Sequence, residues 1–149
     1  MAAPLPQSVL FCCDHNAVRS PMAEGMMKKL YGTEAYVQSA GLIHDLDIDG
    51  FAIAVCAEIG VELGRHRVRD LHEMEEMGEA LSGFDLVVAL SEGARDIAAE
   101  MTARHAIAME YWPILDPTGT SGPRAEKLAA YRAARDQIHR ALTDKWGTP

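Results

Sequence analysis

Short apolar runs alternate along this chain with longer stretches in which apolar residues recur at helical spacing. The first run, "SVLFCC" at 8–13, lies between "PLPQ" and "DHN" and predicts a buried strand of a parallel sheet. "SPMAEGMMKKLYG" predicts a helix with Ser20 as N-cap, Pro21 at the first position, Lys28 and Lys29 in the last turn and Gly32 as the stop. "AYVQSAG" (35–41) predicts the second strand, and "DGFAIAVCAEIGVELG" (49–64) a helix with Ile53, Ala57 and the Ile59–Gly60 region turned toward the sheet. "LHEMEEMGEAL" (71–81) predicts a short acidic helix and "FDLVVAL" (84–90) a third strand. A helix capped by Ser91 follows, then a fourth strand, "AIAMEYW" (106–112), stopped by Pro113. After "PILDPTGTSG", Leu128, Tyr131, Ile138 and Leu142 recur on one face of a long last helix, and Arg132 and Asp136 stand four apart as an ion pair.

Strands alternating with helices call for crossovers between parallel neighbours. The expected fold is therefore α/β, a single domain over 1–149 with a four-stranded parallel sheet in the order 2-1-3-4 and helices on both faces. Residues 1–7 and 146–149 are expected to be loose ends. In such sheets ligands collect beyond the carboxyl ends of the strands, which brings 13–20, 91–93 and 113–119 to one edge.

A length of 149 residues with 48% hydrophobic side chains suits one core. "MAAPLPQ" has neither the basic start nor the apolar run of a signal peptide, so the chain is expected in the cytoplasm. The 22 acidic and 14 basic side chains give a net charge of −8, which opposes non-specific binding to nucleic acid or to an anionic membrane. Any anion site must be local. "RHRVR" (65–69), the densest basic run, reads as a solvated loop. Three cysteines make a disulfide framework improbable in a reducing compartment. Six histidines include no pair at metal-ligand spacing with Cys or Glu, so neither a metal nor another cofactor is expected.

The candidate chemistry lies in "CDHNAVRS", between the first strand and a helix start. A loop of this length can curl the backbone N–H groups of Asp14, His15, Asn16, Ala17, Val18, Arg19 and Ser20 around one tetrahedral oxyanion, such as phosphate or sulfate, with the positive helix end behind them. Arg19 could grip two oxygens of the anion while Cys13 aims its sulfur at the central atom, and the same donors would favour thiolate over thiol. Asn16 tolerates the left-handed backbone that a tight loop needs. The alternative is a pair of cysteines that simply end a core strand. Neighbours on a strand point to opposite faces, so Cys12 is expected in the core, as is Cys56 within its helix.

"VLFCCDHNAVRSPMAE" resembles the low-molecular-weight protein tyrosine phosphatases, whose signature is roughly V-C-x-G-N-x-C-R-S-P; the related thioredoxin-coupled arsenate reductases share the loop. "VQSAG", "GVELGRHRVRDL", "FDLVVAL" and the late "DP" fall in the family's order. The resemblance implies a phosphomonoester hydrolase whose substrate is a phosphorylated protein or a small phosphoester. Cys13 would be the nucleophile that forms a cysteinyl-phosphate, Arg19 the residue that binds the phosphoryl oxygens, and Asp116 the acid and then the base. Ser20 would donate to the Cys13 sulfur, and Asn16, Ser39 and His66 would support the loop. On residue chemistry alone Asp116 before a proline is equally a turn signal, Ser39 a strand end and His66 a surface histidine.

Three departures stand out. His15 replaces the usual glycine, Val18 replaces a second loop cysteine found in many members, and Thr118-Gly119 follow Asp-Pro where phosphotyrosine-specific members carry aromatic residues. Without that aromatic wall a phenyl ring loses its stacking surface. His15 would either line the pocket mouth or stand exposed at the loop tip. Arsenate reduction requires two further cysteines to relay electrons, and only Cys12 and Cys56 are present. A phosphate- or phosphopeptide-binding module with weak catalysis is the third reading.

Overall fold

The computed structural model describes residues 2–149. Four parallel strands, β1 (Ser8–Cys13), β2 (Tyr36–Gly41), β3 (Leu86–Ala89) and β4 (Ala108–Tyr111), form one sheet in the order β2-β1-β3-β4. Strand alternation divides the core. Val9, Phe11 and Cys13 of β1 face one side, with buried side chains of α1 (Arg19–Tyr31), α2 (Gly50–Ala57) and α5 (Arg124–Trp146). Leu10 and Cys12 face the other, with Met74 of α3 (Leu71–Glu76) and Ala94 and Ala98 of α4 (Glu92–His105). The central strands β1 and β3 are buried apart from Ser8, and β4, at the edge, only partly. This is the single-domain α/β fold, with the strand order and two helical layers, that the alternation of elements predicts.

Several local expectations need correction. The helix expected over 49–64 stops at Ala57, because Gly60 turns the chain with φ +77° and the Val61 amide returns to the Cys56 carbonyl. Its inward face is Ala52, Val55 and Cys56; Ala57 and Ile59 are exposed. Ser20 does not cap α1, which starts at Arg19 after an N-cap Val18 that makes no side-chain cap bond. The Ser20 hydroxyl is engaged elsewhere, and Pro21 still falls in the first turn, where its missing N–H costs nothing. "RHRVR" is solvated only in part: Arg65 and Arg67 are exposed, but Val68 and Arg69 are buried. Arg132 pairs with Glu58 instead of Asp136, which pairs with Arg135. Trp146 closes α5 and packs against Tyr31 and Trp112, so the core reaches the residue where the expected loose C-terminal end begins.

Candidate active site

β1 delivers Cys13 to the carboxyl edge of the sheet, and residues 14–18 arch from there to α1. The loop's carbonyls face outward: Leu42 donates to the carbonyls of Cys13 and Asp14, Ile43 to Asp14 and Asp49 to Ala17, at 2.9–3.1 Å. Carbonyl and amide of a peptide unit point in opposite directions, so the loop amides are turned the other way. None of the amides of residues 14–18 has an acceptor among the described residues. Asn16 makes the bend with φ +55°, and Gly41 lets β2 pass beneath it; a Cβ on Gly41 would stand 2.8 Å from the Asn16 nitrogen and from the His15 carbonyl carbon. The result is a run of amides without acceptors beside a helix N-terminus, a geometry that can receive an anion.

Below the loop lies a buried polar network whose proton directions follow from its chemistry. Asn16 Nδ2 donates to Ser20 Oγ at 2.8 Å and to Ser39 Oγ at 2.9 Å. The Ser39 hydroxyl in turn donates to Glu24 Oε1 at 2.6 Å. Asn16 Oδ1 accepts from His66 Nε2 at 3.0 Å and from the Arg69 amide at 3.1 Å. Ser20 Oγ, which accepts from Asn16, lies 2.9 Å from Cys13 Sγ, and toward a thiolate, which has no hydrogen to give, the hydroxyl is the donor. A donor held on the sulfur stabilises negative charge there. Burial lowers the pKa of His66, against the opposing influence of Glu24 and the Asn16 bond, and so favours the neutral ring that donates from Nε2.

Arg19 joins three strand ends. Its Nη1 donates to the carbonyls of Ile114 at 3.1 Å and Leu90 at 3.4 Å, and its Nη2 lies 3.5 Å from Asp14 Oδ2 and 3.8 Å from Asp116 Oδ2. Asp14 Oδ1 in turn accepts from the Ser91 hydroxyl at 2.8 Å. Burial raises the pKa of Asp116, but the hydroxyl and amide of Thr118, with Arg19 and His15 nearby, outweigh it and leave the pKa below the ordinary aspartate value.

These groups surround a cleft of about 150 Å³ lined by Cys13, Arg19, His15 and Asp116 among others. It is small for a drug-sized ligand and suited to a compact anion. The structure thus brings Cys13, His15, Ala17, Val18, Arg19 and Asp116 to the cleft wall. Asn16, Ser20, Ser39 and His66 lie in the network below, and the Asp14 side chain turns to Ser91 and Arg19. His15 is at the mouth, with Nδ1 2.7 Å from Asp45 Oδ1. Among the described residues no group of three or more His, Cys, Asp or Glu is arranged to hold a metal ion.

Sequence reasoning missed the segment after β2. Leu46, Asp47 and Asp49 form the far wall of the cleft, and Asp49 also caps α2 and accepts from the Tyr131 hydroxyl at 2.8 Å. The rule that ligands gather beyond carboxyl ends applies to β2 as much as to β1, β3 and β4, and was the available signal. Arg69, which donates to the Ser39 carbonyl and pairs with Glu79, was hidden within a basic run.

Residues 8–146 match the family described as Low molecular weight phosphotyrosine protein phosphatase. An arsenate reductase of Bacillus subtilis is 33% identical over 137 residues, covering 91% of this chain and 92% of the relative. Among solved structures, an arsenate reductase in the phosphate binding state shares 26% identity with a TM-score of 0.74, covering 93% of this chain and 95% of the other. The YwlE arginine phosphatase from Geobacillus stearothermophilus shares 29% with a TM-score of 0.70, over 92% of this chain and 88% of the other. With its loop, sheet order and the match over residues 8–146 in agreement, the chain belongs to the low molecular weight phosphotyrosine protein phosphatase family.

Proposed function

We propose that this protein is a cysteine-dependent phosphomonoester hydrolase that acts through a cysteinyl-phosphate. The observation that carries this is the Ser20 hydroxyl, bonded by Asn16 and 2.9 Å from a Cys13 sulfur that lines the same small cleft as Arg19 and Asp116. The loop amides and Arg19 would hold three phosphoryl oxygens and take up the charge that develops on them. Cys13 Sγ attacks phosphorus, and the bond to the leaving oxygen breaks as Asp116 protonates that oxygen. The carboxylate so formed then takes a proton from water, whose oxygen attacks phosphorus, and the sulfur departs as a thiolate held by Ser20. Asp116 starts this cycle protonated although its surroundings favour the anion. A phosphoryl dianion at Arg19 opposes that preference by like-charge repulsion, so proton uptake accompanies substrate binding.

The cleft wall holds Ala17, Val18, Leu46 and Thr118 and, among the described residues, no Phe, Tyr or Trp, so the substrate need not be phosphotyrosine; a phosphorylated protein side chain or a small aryl or acyl phosphate fits the reading. Arsenate reduction is the second reading because of the relatives that carry that name. Against it, the two other thiols are buried and poor relays. Cys12 faces the opposite side of the sheet with a strongly raised pKa, and desolvation pushes Cys56 up to about 12.

Turnover of para-nitrophenyl phosphate that falls to background in Cys13→Ser, and by about a hundredfold or more in Asp116→Asn, is the expected result. Arsenate turnover with thioredoxin, without phosphatase activity, would reverse the order of the two readings.

A further inference from the structure

Asp116 and Thr118 meet at the mouth of the cleft in an arrangement that treats the two carboxylate oxygens differently. Oδ1 accepts from the Thr118 hydroxyl at 2.6 Å and from the Thr118 amide at 3.0 Å. Oδ2 makes neither bond and faces Arg19 Nη2 at 3.8 Å. With Oδ1 occupied by two donors, a proton taken up by this carboxyl goes to Oδ2, the oxygen on the phosphoryl side. The short 116–119 turn, in which Pro117 is buried, fixes the carboxyl relative to the cleft.

We propose that Thr118 is a positioning residue for Asp116, reserving Oδ1 so that Oδ2 alone carries the proton delivered to the leaving oxygen. This rests on the assignment of Asp116 as acid. The hydroxyl acts on two properties, since it holds the carboxyl against rotation and stabilises its charged form. The other charged or titratable groups that face Asp116 are Arg19 from α1, Cys13 and His15 from the loop, Asp47 and Asp49 from the segment before α2, and Tyr131 from α5. A Thr118 substitution leaves all of these in place. The consequence concerns leaving groups: an acid biased toward its anion suits esters whose leaving oxygen needs little protonation, and poor leaving groups depend most on correct delivery.

The test is the pH dependence of kcat/KM on phenyl phosphate and para-nitrophenyl phosphate for the wild type, Thr118→Val, Thr118→Ser and Asp116→Asn. Thr118 is exposed, so valine threatens the fold little. In Thr118→Val the alkaline limb, where Asp116 loses its proton, is expected to move up by about half a pH unit. Below that limb, turnover is expected to fall about fivefold on phenyl phosphate and by less on para-nitrophenyl phosphate, the better leaving group. Thr118→Ser should restore both. A limb that stays in place in Thr118→Val, or a serine variant that behaves like valine, overturns the proposal. If that happens while Asp116→Asn loses phenyl phosphate turnover, the acid assignment stands and only the role of Thr118 fails. If Asp116→Asn keeps full activity, both fail.

Discussion

The floor and the rim of the cleft are both built from hydrogen-bonded polar side chains, under opposite constraints. On the floor, Asn16, Ser20, Ser39 and Arg69 are buried, and no buried side-chain nitrogen or oxygen among the described residues lacks a partner. The bonds cross β1's loop, α1, β2 and the 65–69 segment, so they exist only when all four are in place. At the rim, His15 reaches Asp45 and Asp116 reaches Thr118 through exposed pairs open to water. An unpaired group costs far more below than above. The floor should therefore be stiff and decide whether the loop has its shape, while the rim adjusts how the shaped loop is used.

Asn16→Ala is the hardest blow to that distinction. It removes donors to Ser20 and Ser39 and the acceptor of His66 and the Arg69 amide, and places alanine at φ +55°. Urea denaturation is expected to show a loss of about 3–5 kcal/mol, with phosphatase activity down at least a hundredfold. A stable, active variant would show that the floor is not the element that shapes the loop. Gly41→Ala comes next. The new methyl meets backbone atoms of His15 and Asn16, which cannot swing away as a side-chain tip could. The loop must shift, and kcat is expected to fall at least tenfold with a stability loss of about 1–3 kcal/mol.

His66 tests the floor through pH. Its folded pKa lies below the ordinary value of 6.5, chiefly through burial, so between those two values the unfolded chain binds more protons. Stability from this group is complete above 6.5 and declines as pH falls toward the lowered folded value. His66→Gln retains a donor for Asn16 Oδ1 but cannot titrate. Urea midpoints measured from pH 7.5 down to 5 should fall more steeply in the wild type than in this variant.

The same contrast explains what could be read from the chain. Floor residues were legible individually, because Asn16, Ser20, Ser39 and His66 each sit in a recognisable run, but the direction of each hydrogen bond depends on four segments meeting. Ser20 shows the difficulty. Before a proline and a helix it reads as a cap, the family resemblance implied a bond to the Cys13 sulfur instead, and the structure places its hydroxyl 2.9 Å from that sulfur with no capping bond. Arg69 was obscured in the same way, since charge density marks surface until a buried carbonyl and a carboxylate claim the guanidinium. Strands and sheet order were readable because burial on both faces leaves uninterrupted apolar runs. The extent of α2 was not, because an apolar sequence continues past Gly60 although the backbone turns there.

The smallest expected effect lies at the rim. His15 and Asp45 are 2.7 Å apart, yet their side chains are 44% and 50% exposed, so solvent screens the attraction and ordering both side chains offsets part of it. In a double-mutant cycle of His15→Ala and Asp45→Ala the coupling should be about 0.5 kcal/mol or less, and smaller still in 1 M salt. Activity is the sharper measure. Asp45 is not part of the cleft lining and its carboxylate bonds His15, whereas His15 lines the mouth itself. If the rim tunes use of the loop, His15→Ala should change KM several-fold with stability nearly unaltered, and Asp45→Ala should reproduce part of that change because it frees the ring. Additive effects on KM would mean that the two residues act independently. A large loss of stability in either variant would mean that the rim, too, holds the loop in shape, and the division between floor and rim would not hold.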